Sequence, residues 1–81
     1  MSEAERFLTE THDDGRTYGG GFKLKLLRGG SLVTCLYFTD EAEAQLAFGR
    51  VKGLRADGES VVLEKRRNLS RPFEWDLIDS A

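Results

Sequence analysis

The clearest pattern of hydrophobic and polar positions along the chain is a pair of β-prone runs joined by two glycines. Residues 22–28 (FKLKLLR) and residues 31–38 (SLVTCLYF) flank Gly29-Gly30. Two such runs around a two-residue glycine loop are typical of a β-hairpin, because glycine readily adopts the positive φ that the tight turn requires. The sequence therefore predicts a hairpin over residues 22–38.

The turn also predicts a register for this hairpin. With Gly29-Gly30 as the loop, Arg28 faces Ser31, and side chains that face each other across the strands share one face of the sheet. One face is then apolar and consists of Phe22, Leu24, Leu26, Val33, Cys35 and Tyr37. The opposite face is mixed and carries Lys23, Lys25, Leu27, Leu32, Thr34 and Leu36, with Phe38 beyond its end. The apolar face is expected to lie against the core, with Cys35 opposite Leu24.

A helix is predicted after the hairpin. Asp40 is a suitable N-cap, and Glu43 three positions later completes a capping box. A period of 3.6 residues brings one apolar side together, which is expected to cover the sheet: Ala44, Ala47, Phe48, Val51 and Leu54. Gly49 and Gly53 lie near this side, and they are expected to let the helix approach a strand closely.

Two further runs, residues 60–66 and 73–77, predict a second hairpin. Val61 and Leu63 share one face of the first run. The second run alternates strictly, and its apolar members are expected to face inward: Phe73, Trp75 and Leu77. Residues 6–11 are a weaker candidate for an additional strand.

These elements predict a single small α+β domain over residues 1–81. Because all connections except the helical one are short, we expect an antiparallel sheet of four or five strands with one helix packed on one face. The predicted order is β-β-β-α-β-β. Residues 1–5 are expected to be flexible, and residues 12–21 are expected to form a loop or a bulged region.

Composition and charge narrow the classes of function. The chain has 81 residues, of which 40% are hydrophobic, and a net charge of −2. One small folded core is therefore expected, and the chain as a whole should not attract nucleic acid by its charge. A single cysteine, an acidic N-terminal segment and the lack of an apolar run of ~18 residues predict a cytoplasmic protein with no membrane anchor.

Three segments contain residue types that could support chemistry, and each has a simpler structural explanation. His12-Asp13-Asp14 could bind a metal or act as a base, but neighbours on a turn seldom converge on one ion and the chain has one histidine. Gly19-Gly20-Gly21 precedes a strand, whereas a phosphate-binding loop precedes a helix. Cys35 is expected inside, away from any base. The sequence therefore favours a non-enzymatic protein with no cofactor and no metal.

The mixed face of the first hairpin is the leading candidate for a functional surface. Apolar residues clustered on a surface indicate an interface, and its predicted members are Leu27, Leu32, Leu36, Phe38 and Leu46. The leading hypothesis is an interaction module of adaptor or inhibitor type, which uses this face or an exposed strand edge to bind itself or a larger protein. The alternative is that another segment covers these side chains.

A second hypothesis is nucleic-acid binding through the densest basic run, whose members are Lys65, Arg66, Arg67 and Arg71. Basic residues contact phosphates, and aromatic residues exposed on a sheet can stack on bases. Acidic residues are interleaved with this run, so a solvated strand without a function is the favoured explanation of it.

Overall fold

The computed structural model describes residues 2–11, 20–68 and 71–81. In chain order the elements are α1 (Glu3–Thr11), β1 (Phe22–Arg28), β2 (Ser31–Phe38), α2 (Glu41–Leu54), β3 (Glu59–Asn68) and β4 (Arg71–Ser80). The four strands form an antiparallel sheet in the order β2-β1-β3-β4, and residues of both helices pack into the core on one of its faces. The α+β class and the antiparallel sheet are confirmed, whereas the predicted order β-β-β-α-β-β is wrong.

The error in the element order lies at the N-terminal segment, where α1 replaces the strand predicted over residues 6–11. The Ser2 hydroxyl accepts a hydrogen bond from the Glu5 amide at 3.2 Å, which is the N-cap interaction of a Ser-x-x-Glu capping sequence. Ala4 and Leu8, four residues apart, are both fully buried. The predicted loop over residues 12–21 lies outside the described residues except for Gly20 and Gly21.

The first hairpin forms as predicted, but its register changes after the first two pairs. Gly29 and Gly30 have φ values of +59° and +84°, and Arg28 faces Ser31. A β-bulge then leaves Val33 without a partner of its own, so Leu24 faces Leu36 rather than Cys35. Because a one-residue shift moves every later side chain to the other face, the predicted faces of β2 are exchanged beyond the bulge.

This exchange corrects the predicted positions of several β2 residues. Leu36, expected on the exposed face, is fully buried in the core, and Phe38 is partly buried against the same core. Cys35 and Tyr37, expected in the core, lie opposite Lys25 and Lys23 on the other face. The prediction that Leu36 contributes to an exposed surface is therefore wrong.

Helix α2 covers the sheet with the predicted apolar side. Leu54 is partly buried against the core, whose fully or nearly fully buried members are Ala4, Leu8, Leu24, Leu26, Leu36, Ala44, Ala47, Phe48, Val51, Val61 and Leu63. Asp40 occupies the N-cap position but makes no side-chain hydrogen bond there. The expected close approach through Gly49 and Gly53 is wrong, because both glycines are exposed and a Cβ at either would meet no atom within 4 Å.

The second hairpin is confirmed, with a correction to its faces. Arg66 faces Trp75 and Glu64 faces Leu77, while Val61 and Leu63 of β3 are buried under the helices. Trp75 and Leu77 consequently point away from the helices rather than inward. A register shift leaves Ile78 as the extra residue of β4, and this residue packs against the core. The side chain of Phe73 lies outside the described part of the chain.

A buried carboxylate joins three elements at one end of the sheet. Glu59 Oε1 accepts a hydrogen bond from the Ala56 amide at 2.7 Å, and Oε2 accepts bonds from Arg28 Nη2 at 2.7 Å and Nε at 3.2 Å. Arg28 Nη2 also donates to Glu5 Oε1 of α1 at 2.8 Å. The Ala56 amide and then Arg28 hold the pKa of Glu59 below its ordinary value, although burial of the carboxylate opposes them.

We expect Glu59→Gln to lower the free energy of unfolding at neutral pH by about 1–3 kcal/mol, because it removes the charged acceptor of Arg28. A carboxyl group whose pKa is lowered by folding stabilises the folded state above its unfolded pKa, near 4.5, and this stability is lost as pH falls through the folded pKa. Urea unfolding at pH 7 and at acidic pH checks both effects. The variant should lose less stability on acidification than the wild type, and equal losses would contradict this role.

Candidate functional site

No described element covers the face of the sheet opposite the helices, here called the open face. Its side chains lie in rows that cross the strands, because residues paired across antiparallel strands share a face. One row consists of Tyr37, Lys23, Glu64 and Leu77, and the next of Cys35, Lys25, Val62 and Ser80. A third row, near the Gly29-Gly30 turn, consists of Leu32, Leu27 and Ser60. The pair of Arg66 and Trp75 lies at the opposite end of the sheet.

Trp75 is the centre of an aromatic and cationic cluster on this face. Lys23 Nζ lies 4.3 Å from the centroid of the Trp75 ring, and the Arg66 guanidinium carbon lies 5.0 Å from it. Both distances are within the range of cation–π attraction. The rings of Tyr37 and Trp75 have centroids 6.1 Å apart and planes inclined at 53°, a tilted arrangement that aromatic pairs favour. The cluster thus combines residues from all four strands of the sheet: Lys23, Tyr37, Arg66 and Trp75.

The cations of the cluster are held in place by neighbouring groups. Glu64 Oε1 lies 3.7 Å from Lys23 Nζ and 3.3 Å from Lys25 Nζ, and the Lys23 and Glu64 side chains are only 18% and 17% exposed. Arg66 Nη2 donates to the carbonyl oxygen of Gly20 at 3.1 Å. Because three cations share this part of the open face with one described carboxylate, Glu64, it carries an excess of positive charge.

Two large apolar side chains stand exposed at diagonally opposite corners of the open face. Leu77 on β4 is 64% exposed and Leu32 on β2 is 58% exposed. Between them, Leu27, Val62 and Tyr37 are partly exposed. An antiparallel sheet that faces only water usually carries polar residues on its outer side, so these apolar residues indicate a surface suited to binding.

The predicted interface residues do not form one surface in the fold. Leu27 and Leu32 lie on the open face, whereas Leu36 is in the core and Phe38 packs beside it. Leu46 is 73% exposed, but it lies on α2 on the opposite side of the sheet. The open face instead gathers Trp75, Leu77 and Tyr37, which the regular alternation of the sequence placed inside.

The predicted basic run is also separated by the alternation of β3. Arg66 points to the open face, while its neighbours Lys65 and Arg67 point to the other side. Arg67 Nη2 forms an ion pair with Asp76 Oδ1 at 2.6 Å. The side chain of Arg71 is outside the described residues. The cations that join Arg66 on the open face are Lys23 and Lys25, because β1 pairs with β3.

Cys35 lies half-buried on the open face. Burial raises the pKa of its thiol above the ordinary value of 9.0, while a hydrogen bond with Tyr37 and the charges of Lys23 and Lys25 oppose the shift. We therefore expect iodoacetamide to alkylate Cys35 more slowly at neutral pH than it alkylates free cysteine, since the thiolate is the nucleophile. The rate should still be rising above pH 9. A rate that reaches its plateau below that pH would contradict this environment.

The remaining candidates for chemistry gain no support from the geometry. His12-Asp13-Asp14 and Gly19 lie outside the described residues. In the ranges that the structure describes, no group of three His, Cys, Asp or Glu side chains is arranged to hold a metal ion. Among the same residues, neither helix has the length and apolar character needed to cross a membrane.

Comparisons with known proteins add no relative from which a role could be transferred. No protein-family model matches the chain. Neither a curated protein nor a solved structure shows significant similarity to it. The residues of the open face are therefore the features of this α+β chain that indicate a function.

Proposed function

We propose that this protein is a non-enzymatic interaction module that binds a larger protein through the open face of its sheet. The observation that carries this proposal is the arrangement around Trp75. A tryptophan with two cations held over its ring lies on an uncovered sheet face. Exposed Leu77 lies two residues away on the same strand, and exposed Leu32 lies at the diagonally opposite corner of that face. The open face includes the two residues of the predicted interface that the fold places there, Leu27 and Leu32.

The residue types of the open face are those that contribute most to protein binding. Trp, Tyr and Arg are enriched among the residues whose removal weakens interfaces most, and they act best near the centre of a contact. Tyr37 and Arg66 both contact Trp75, and Lys23 lies over the same ring. Because these side chains are already ordered by their mutual contacts, little further conformational entropy is lost on binding.

The charge of the open face favours a different protein over a second copy of this chain. Lys23 and Lys25 form ion pairs with Glu64, and Arg66 adds a third cation on the same face. Two open faces placed against each other would bring these cations together, and like charges across an interface are unfavourable. A partner that presents apolar side chains with acidic residues at their edge complements the face better.

Nucleic-acid binding is the second candidate, and the same cluster is the observation in its favour. Aromatic rings beside cations on an exposed sheet are a common arrangement for stacking bases of single-stranded nucleic acid. The net charge of −2 opposes this role. Lys23 and Arg66 also already occupy positions over the Trp75 ring, so a base would have to displace or adjoin them.

The experiment uses the immobilised protein to capture partners from an extract of its own cells, followed by titration of the purified partner. Trp75 is the only tryptophan of the chain, so its fluorescence reports directly on the open face when the partner contains none. The test variant is Leu77→Glu, which places a carboxylate on the open face. The matched control is Leu46→Glu, which changes a leucine of similar exposure on the helical side.

A partner retained by the wild type and by Leu46→Glu, but lost with Leu77→Glu, would support the proposal. Retention by all three proteins would contradict it, because the contact would then lie elsewhere. A mixed oligonucleotide titration at low and high salt addresses the second candidate. Quenching of Trp75 fluorescence by oligonucleotide alone, with steep loss of binding as salt rises, would replace protein binding by nucleic-acid binding.

A further inference from the structure

The outer surface of α2 is unusually apolar for an exposed helix. Its side opposite the core carries a line of small and apolar residues, here called the outer stripe: Ala42, Leu46, Gly49 and Gly53. All four are exposed, and Leu46 projects from the middle of the stripe with 73% of its surface accessible. A helix of a small domain normally turns polar residues toward water on this side.

The two glycines of the outer stripe have no role within the described chain. Glycine is among the least favourable residues in a helix interior. Neither Gly49 nor Gly53 has a positive φ, and a Cβ built on either would meet no atom within 4 Å. Missing side chains on an exposed helical surface allow another helix to approach the backbone closely, because the distance between helix axes depends on the side chains at the contact.

An apolar groove lies beside the outer stripe. It is lined by Phe7, Phe38, Glu43, Leu46, Ala47 and Arg50 and has a volume of about 290 Å³. The Arg50 guanidinium carbon lies 5.5 Å from the centroid of the Phe7 ring, so its charge is held at the edge of the groove. The groove is large enough for an aliphatic side chain of a neighbouring molecule.

We propose that a second copy of this chain occupies this surface, with the two α2 helices antiparallel across a twofold axis. Glu43 and Arg50 are both exposed and lie at equal distances from the midpoint between Leu46 and Ala47. A twofold axis at that midpoint therefore places Glu43 of each copy opposite Arg50 of the other. Neither residue forms an ion pair with another residue in the described part of the chain.

The twofold arrangement also buries the exposed apolar residues of this surface. In such an interface each surface meets its own copy, so Leu46 of one chain packs at the groove of the other chain, beside Phe7 and Phe38. The glycines of the outer stripe let the two backbones approach. This surface is separate from the open face, so the dimer leaves both open faces accessible for partners. The inference therefore goes beyond the proposed function and does not depend on it.

Charge reversal tests this geometry directly. We expect sedimentation equilibrium of the wild type, over about 1 μM to 1 mM protein, to show a monomer–dimer equilibrium. Glu43→Arg and Arg50→Glu should each weaken the dimer by about tenfold or more, because each single reversal brings like charges together twice. The double variant with both reversals should restore affinity close to that of the wild type, since opposite charges then face each other again.

Matched controls separate the contact from general effects of charge. Glu41→Arg and Lys52→Glu make the same changes of charge at exposed positions of α2 outside the outer stripe and groove. Both should leave the dimer affinity within about twofold of the wild type. Circular dichroism establishes that each variant is folded. A wild type that stays monomeric over the whole range would overturn the proposal. Single reversals without effect, or a double variant that fails to recover, would also overturn it.

Discussion

Leu36→Glu is expected to unfold this protein at neutral pH. Leu36 is fully buried between the sheet and the helices, and it faces Leu24, which is equally buried. A carboxylate at this position would have no charged partner in the core, and an uncompensated buried charge costs about 3–5 kcal/mol or more. Domains of this size commonly have a free energy of unfolding of only about 3–5 kcal/mol. The cost of the buried charge is therefore as large as the stability of the whole domain. Far-ultraviolet circular dichroism and a thermal melt check the result.

Leu32→Glu is the matched control on the same strand. Leu32 precedes the bulge and is 58% exposed on the open face, so the same change should alter the free energy of unfolding by less than about 1 kcal/mol. The predicted register without the bulge leaves both leucines exposed, so cooperative, near-wild-type melts for both variants would show that this register, and not the bulged one, exists in solution.

Gly20→Ala is expected to destabilise the protein by about 1–3 kcal/mol. A Cβ at Gly20 would lie 2.5 Å from the carbonyl oxygen of Phe38 and 2.8 Å from its carbonyl carbon. Both atoms belong to the backbone of β2, so they cannot turn away as a side chain could. Relief of the overlap would move the Gly20 carbonyl, which accepts the hydrogen bond of Arg66, and would thereby disturb the Trp75 cluster as well. Urea unfolding measures the loss of stability.

The neighbouring glycine provides the control. A Cβ at Gly21 would meet no atom within 4 Å, and its φ is not positive. Gly21→Ala should therefore change the stability by less than about 0.5 kcal/mol. Near-ultraviolet circular dichroism should show an altered Trp75 signal for Gly20→Ala only. Equal effects of the two substitutions would mean that the backbone of Phe38 does not pack against Gly20.

The features that the sequence predicts best are those with a strong local cause. The turn at Gly29-Gly30 requires residues that accept positive φ, and the apolar side of α2 follows from spacing alone, so both were predictable. The first helix was missed for a different reason. Its signals are one buried apolar pair, Ala4 and Leu8, and a Ser2 cap, whereas the residues from Arg6 onward also fit a short strand.

The faces of the strands could not be predicted, because two register shifts set them. Nothing in the residues around Val33 or Ile78 marks a bulge, since neither site contains glycine or proline. Each shift decides which side chains enter the core only after the strand has paired with its neighbour. The cluster around Trp75 depends on both strand pairing and these shifts, because its residues come from all four strands. Its residue types were visible in the sequence, but their association was not.

The pairing of β1 with β3 has a consequence for how the chain folds. Each hairpin joins neighbours in sequence, but the pair that unites them closes a long loop, since Arg28 and Glu59 are 31 residues apart. Such contacts form slowly because the entropy of loop closure opposes them. Until they form, β1 and β3 are free edges that could pair with other molecules. Lys23, Lys25 and Glu64 lie along these edges and form ion pairs across the junction, so the same charges that discourage aggregation of the separate hairpins help to join them correctly.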